Sequence, residues 1–275
     1  LEGVSCDCGK FHTCDIQYVY IDSGAIDRLT DICKDFSSIL IVADENTFGA
    51  AGEKTIEALE NKNITKVIFT GKEILVPNEM AIAEVEKNLE GAELIIGIGS
   101  GVIQDLCKYV SFKNKIPYMV VATAPSMDGY ASATSSMTRD GLKISLPSKC
   151  ADVIIGDLDV LCQAPAKMMA SGLGDMLAKY VSICEWRIAN LITGEYYCED
   201  IAQLVREALK KCADNAEGLL KQDKEAVKAV FEGLVIGGVA MAYAGVSRPA
   251  SGVEHYFSHV WDMRGLEFGT KVDLH

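Results

Sequence analysis

Three of the four histidines in this chain, His255, His259 and His275, fall in its last stretch, where Ser247–His259 reads SRPASGVEHYFSH. His255 and His259 are four residues apart, so on a helix both imidazoles point to one side. Arg248-Pro249 lies just upstream, and proline suits the first turn of such a helix. Two imidazoles on one helical face with a third close behind suit a divalent metal; the alternative is ordinary polar histidines near a helix end. Such a metal also needs a carboxylate. Ser171-Gly172-Leu173-Gly174-Asp175 offers one early in an apolar helix, where Asp175 either complements the helix dipole or completes the ligand set. An aspartate with two imidazoles leaves an open position, as in catalytic metal sites.

Three further motifs could hold a ligand. Gly97-Ile98-Gly99-Ser100-Gly101 follows the apolar run ELII and opens a helix through Asp105 and Lys108. Backbone N–H groups at a helix start can hold a phosphate, although Val102 stands where the dinucleotide fingerprint has its third glycine. Asp44 ends the run SSILIVAD; it is either a ribose acceptor that repels the extra phosphate of NADP, or a helix cap. Thr123-Ala124-Pro125-Ser126-Met127-Asp128-Gly129 closes the run YMVVA with hydroxyls and a carboxylate. A separate group, Cys6, Cys8, His12 and Cys14, offers four zinc-type ligands, but Cys-x-Cys is tighter than the usual structural spacing.

The elements that position these motifs follow from periodicity. Strands are expected at 16–21, in SSILIVAD, and at 66–70, 93–97 and 118–122. Helices are expected between them at 24–35, 50–61, 78–90 and 102–112. Buried strands alternating with helices predict a doubly wound, Rossmann-like parallel sheet with right-handed crossovers. A hairpin is expected at 133–146, turning at Asp140-Gly141, and a last strand at 152–156. From 165 onward the chain reads as helices at 165–190, 195–221, 223–243 and 250–262. The class is therefore α/β with a C-terminal all-α domain. The boundary lies near 162, and the cleft between the halves is the natural place for a site.

The 275 residues, 49% hydrophobic, are enough for one large or two moderate domains. A net charge of −13 argues against nucleic acid and anionic membranes as partners. No run approaching the roughly 20 apolar residues of a membrane span is evident. The start, LEGVSCDCGK, lacks the apolar core of a signal peptide, so a cytoplasmic location and ten reduced cysteines are expected. Cys107, Cys184 and Cys212 are expected to pack as small hydrophobes.

GIGSGVIQD, TAPSMDGYAS, SGLGDMLAKY, SRPASGVEHYFSH and VDLH occur in one order within Ser38–His275. Together they resemble the sn-glycerol-1-phosphate dehydrogenases, within a wider group of glycerol dehydrogenases, dehydroquinate synthases and metal-dependent alcohol dehydrogenases. The resemblance implies an NAD(P)-binding domain over 1–162 and a helical metal- and substrate-binding domain over 163–275. It implies reversible reduction of dihydroxyacetone phosphate with NAD or NADP and one divalent ion, zinc or nickel first. Asp175, His255 and His275 match the metal ligands, so the i, i+4 histidines become one ligand and one substrate residue. His259, Asp128 and Asp175 match the substrate side. Asp44, Gly101, Val102, Ile103, Gln104, Asp105, Thr123, Ala124, Pro125, Ser126 and Ser132 match the nucleotide contacts. Arg248 and Lys179 are the candidate phosphate cations, on position alone. A homodimer through an exposed part of the sheet is possible. The family carries on past its last histidine with several more helices, whereas this sequence stops at His275, so a truncated helical domain is expected. The alternatives are a glycerol dehydrogenase acting on free polyols, a dehydroquinate synthase-like lyase, and a non-catalytic nucleotide-binding relative.

Overall fold

A computed structural model describes residues 3–72, 75–140 and 142–268, with the backbone course alone for 259 and 262–268. Five short or apolar runs form the first half of the sheet system: β1 (Val4–Ser5), β2 (Phe11–His12), β3 (Tyr18–Asp22), β4 (Ser38–Asp44) and β5 (Asn63–Phe69). β6 (Leu94–Gly99), β7 (Tyr118–Ala122), β8 (Thr134–Arg139), β9 (Leu142–Pro147) and β10 (Val153–Asp157) complete it. Six of these make one sheet in the order β3-β10-β7-β6-β4-β5, every pairing parallel. Ile39–Ala43 and Leu94–Ile96 have no exposed surface, because helices cover both faces and an unbroken apolar run is what a two-sided burial selects.

Helices α1 (Leu29–Ile32), α2 (Glu45–Ala58), α3 (Glu79–Lys87) and α4 (Gly101–Asn114) alternate with the strands. The chain runs from β4 outward to β5, then returns to place β6 on the other side of β4. That reversal is a topological switch point, where ligands of such sheets bind beyond the strands' carboxyl ends. Val42 pairs with Gly97, so Asp44 and Gly99, each two residues on, end side by side there. Gly99 in turn pairs with Ala122, which brings Thr123 alongside.

Past β10 the chain is helical: α5 (Leu158–Leu161), α6 (Ala166–Thr193), α7 (Glu199–Asp214), α8 (Ala216–Leu219), α9 (Lys224–Ala244) and α10 (Val253–Phe268). The change near 162 is one of architecture, since a single buried cluster joins Val120 and Ile154 of the sheet to Leu209, Val230 and Phe231 of the helices. α9 is the exception to the sequence expectation about membranes. It is long and apolar enough to cross one, yet 67% of its apolar window is buried inside the protein. It is the core helix of the second half.

Other differences are local. The expected helix at 24–35 divides into a 3-10 turn, Ala25–Arg28, and the single turn α1. Gly24 takes a left-handed conformation at φ 72°, and the Asp157 carboxylate accepts from the backbone N–H groups of Gly24 (3.2 Å) and Ile26 (3.4 Å), which tightens the chain there. The helix expected at 50–61 starts earlier, at Glu45, because Asp44 caps it. The helix expected at 195–221 starts at Glu199 and breaks at Asn215. All ten cysteines are free; Cys184 is exposed, contrary to expectation, whereas Cys107 and Cys212 are buried.

Candidate active site

Where α6 meets the loop after β7, a buried lysine lies between two aspartates. Lys179 of α6 has no exposed surface. Its ammonium lies 2.8 Å from Asp128 Oδ2 and 3.3 Å from Asp175 Oδ1, and it donates to the Asp175 carbonyl at 3.0 Å. The Asp128 backbone N–H donates to Asp175 Oδ2 at 2.8 Å. Burial opposes the charge on Lys179, but the two carboxylates outweigh it and hold the ammonium above its ordinary range. Burial pushes the Asp175 carboxyl up, the Asp128 charge adds to that, and Lys179 and His255 pull the other way. Asp175 and Lys179 are i and i+4 on one helix, so their meeting is a property of the sequence spacing. Their meeting with Asp128, 47 residues earlier than Asp175, is made by packing.

Glycine permits that packing. A Cβ at Gly172 would lie 1.9 Å from the Pro125 carbonyl oxygen, so α6 crosses the Thr123–Gly129 loop at backbone contact. A Cβ at Gly238 of α9 would lie 2.7 Å from both the Asp128 carbonyl oxygen and Ala131 Cβ, and one at Gly237 would lie 2.7 Å from Lys179 Cε. Two helices thus clamp the 3-10 turn Asp128–Ala131 from either side. Tyr130, fully buried, donates to the Ala124 carbonyl at 2.8 Å and braces the same loop from inside.

At the switch point, the start of α4 is left open. Ser100 occupies the N-cap but its side chain makes no capping bond. A Cβ at Gly101 would meet nothing within 4 Å. First-turn N–H groups without a capping side chain, at a glycine with room beside it, fit the phosphates of a dinucleotide. Asp44 is less free: its Oδ1 accepts from Asn46 N–H (2.8 Å) and Thr47 N–H (2.9 Å), and Thr47 Oγ1 accepts back from Asp44 N–H at 3.0 Å. The capping reading is realised through one oxygen. Gln104 donates to the Gly129 carbonyl, while its buried Oε1 has no partner among the described residues. Lys108, named in the sequence only as part of the helix after the glycine motif, is fully buried and donates to Gly129 O (3.1 Å), Ser132 Oγ (3.0 Å) and Thr134 O (2.5 Å). It also lies 3.2 Å from Asp105. It ties the α4 residues to Ser132, so these expected nucleotide contacts form one connected wall.

Of the expected metal ligands, Asp175 and His255 are described. His255 lies in the first turn of α10, and its Nδ1 meets Glu254 Oε1 at 2.9 Å. A carboxylate and an imidazole are donors that fit a borderline divalent ion. His275 lies outside the described residues. His259 is placed in α10, four residues from His255, but its side chain is outside the description. Arg248 departs from expectation as a phosphate cation, because Glu195 holds it in a two-point ion pair at 2.8 and 2.9 Å. Lys179 is likewise fully paired by carboxylates. A hollow of about 1090 Å³ lies elsewhere, at the amino ends of the strands near Tyr18, Pro117 and Val153. It contains none of these groups.

The iron-containing alcohol dehydrogenase family model matches residues 20–165. The glycerol-1-phosphate dehydrogenase [NAD(P)+] of Geobacillus thermodenitrificans is 31% identical over 98% of this chain and 69% of its own length. The chain belongs to the iron-containing alcohol dehydrogenase family. Within it, a relative of the same name from Methanosarcina acetivorans is 32% identical over 89% of the chain and 69% of its own length. Among solved structures of this fold, glycerol dehydrogenase of Schizosaccharomyces pombe superposes with a TM-score of 0.70 at 21% identity, over 86% of this chain and 64% of that one. This member of the iron-containing alcohol dehydrogenase family is thus an oxidoreductase of a metal-dependent, NAD(P)-linked group, acting on a small molecule.

Proposed function

We propose that this chain catalyses reversible reduction of the C2 carbonyl of dihydroxyacetone phosphate by NADH or NADPH, yielding sn-glycerol 1-phosphate. The observation that carries the reading is the buried Asp128–Lys179–Asp175 group beside an open helix start at Gly101. When bound, the nicotinamide supplies the hydride, and a divalent ion, zinc or nickel, supplies Lewis-acid polarisation of the carbonyl. Asp175, His255 and His275 would hold that ion. Asp44, the segment Gly101–Asp105, Thr123–Ser126 and Ser132 would hold the nucleotide, with Asp44 favouring NADH through its second oxygen.

The chain's own residues then do three things. Asp128 and Asp175 orient the substrate's hydroxyl and carbonyl ends, and Lys179 fixes both carboxylates so that neither swings away. The packed loop under α6 excludes water from the floor of the cleft. His259 moves the proton needed at the product alkoxide oxygen, since imidazole exchanges protons near neutral pH. A second copy would pair along a sheet edge, β3 or β5, to give the expected homodimer. The cytoplasm is the proposed location.

The test follows NADH absorbance with dihydroxyacetone phosphate against dihydroxyacetone, with and without chelator. Chelator-sensitive oxidation confined to the phosphorylated ketone is the expected result. Preference for the free ketone would refute the substrate assignment.

A further inference from the structure

Outside the candidate active site, three thiols and an imidazole converge. The Sγ atoms of Cys6, Cys8 and Cys198 and a ring nitrogen of His12 all lie within 4.8 Å of one another. We propose that these four residues bind a structural zinc ion that staples the N-terminal hairpin to the helical half.

Geometry supports a closed tetrahedron. Cys6 Sγ is 3.5 Å from Cys198 Sγ, and His12 Nε2 is 3.3 Å from Cys8 Sγ and 3.6 Å from Cys198 Sγ. Zinc–sulfur bonds of about 2.3 Å give tetrahedral edges of about 3.8 Å, within a few tenths of an ångström of these three separations, and no pair of donor atoms is more than 4.8 Å apart. A disulfide needs sulfurs at about 2.05 Å, well short of the separation here. Three thiolates and an imidazole are the donor set that zinc takes in structural sites.

The surroundings prepare each donor. His12 Nδ1 lies 2.8 Å from the Tyr243 carbonyl, which can only accept; the proton therefore sits on Nδ1 and leaves the Nε2 lone pair aimed at the sulfurs. The Cys8 backbone N–H points at Cys6 Sγ (3.4 Å) and the Tyr196 hydroxyl at Cys8 Sγ (3.4 Å), both contacts that stabilise thiolate. Cys198 is the N-cap residue of α7 yet makes no capping bond, so its sulfur is free for a ligand. The turn is built for the purpose: Gly9 takes φ 82°, its N–H bonds to the Cys6 carbonyl at 3.0 Å, and Cys6 N–H bonds to the Lys10 carbonyl at 3.2 Å. Asp200 Oδ2 accepts from the Cys6 thiol at 3.0 Å. That proton leaves with the others when metal binds, up to one per thiol, and the exposed Asp200 turns to solvent. His12 and Cys198 are 4% and 1% exposed, so the ion would be sealed on its inner side, with no position open to substrate.

The hairpin β1–β2 has two residues per strand and a single short ladder, too little to hold itself. The metal supplies what the ladder lacks. It joins that hairpin to the start of α7 and, through His12 and Tyr243, to the end of α9.

The experiment loads the intact chain with Zn²⁺ or Co²⁺ in an Asp175→Asn, His255→Ala background, which removes ligands of the cleft. One tightly held zinc per chain is expected there by elemental analysis, with an intense sulfur-to-cobalt charge-transfer band in the cobalt form. Cys198→Ser should lose both signals, and Cys14→Ser, outside the cluster, should keep both. Should Cys198→Ser fail to fold, thiol titration of the parent decides: stripping the metal should expose three further reactive cysteines. Absence of the cobalt band in the parent, its persistence in Cys198→Ser, or a Cys6–Cys198 disulfide in the purified chain would each overturn the proposal.

Discussion

Asp44 poses the sharpest question at the scale of one residue, because its carboxylate has two possible employments. One oxygen caps α2 through Asn46 and Thr47; the other is free to meet a ribose. Serine caps a helix about as well as aspartate, whereas alanine costs about 1 kcal/mol. Asp44→Ser should therefore keep the melting temperature and raise the KM for NADH several-fold. Asp44→Ala should lose stability as well. If Asp44→Ser leaves the KM unchanged, the residue is a cap alone. Lys179 gives a second prediction. Lys179→Met would leave two buried like charges unpaired, and breaking a buried ion pair from one side typically costs about 3–5 kcal/mol. Turnover should vanish with it. The pH dependence has a definite sign: the folded lysine is held above its ordinary 10.5, so its stabilisation is full below that value and is lost as pH rises through the folded one. Urea midpoints of the parent should fall steeply in strong alkali, and this limb should flatten in Lys179→Met.

Between elements, the site depends on how closely helices approach the Thr123–Gly129 loop. Gly172→Ala places a methyl group inside the Pro125 carbonyl, so α6 must shift and carry Asp175 and Lys179 away from Asp128. Misplacement by about 1 Å can cost about a hundredfold in rate, and kcat should fall together with thermal stability. An unchanged kcat would mean that the Asp128–Asp175 contact does not position the reaction. The alternating βα pattern, the hairpin and the order of the glycine, TAPSMDG and SGLGD motifs were legible in sequence, because period and turn chemistry are local. What escaped is nonlocal. Lys179 reads as a candidate phosphate cation, and Lys108 as a mere point on the helix after the glycine motif, until the fold buries them against Asp128, Asp175 and Gly129. Gly237-Gly238 lies in an apolar helix, and only the fold shows Asp128 packed against it. Cys198, 186 residues beyond His12, displaces Cys14 from the N-terminal group, a substitution that spacing along the chain cannot reveal.

Across the whole molecule the two metal sites should behave as separate devices. The proposed cleft site would take its ion on Asp175, His255 and His275 and must stay open for substrate. The N-terminal site is closed by four side chains and serves no substrate. A chelator should strip the open site first, because a solvent-accessible coordination position lets it attack, and activity should fall while the melting temperature barely moves. Loss of the closed site should follow more slowly and cost stability. Apparent binding energies of structural zinc reach about 10 kcal/mol or more. If only about 3 kcal/mol of that is felt in folding, the melting temperature of a chain this long should drop by roughly 6 °C or more. Parallel time courses of NADH turnover and melting temperature after chelation should thus show two phases, with the slow one absent from Cys198→Ser. A single phase in which activity and stability decay together would mean that the hairpin and the cleft share one metal-dependent unit, and that the division of labour drawn here is wrong.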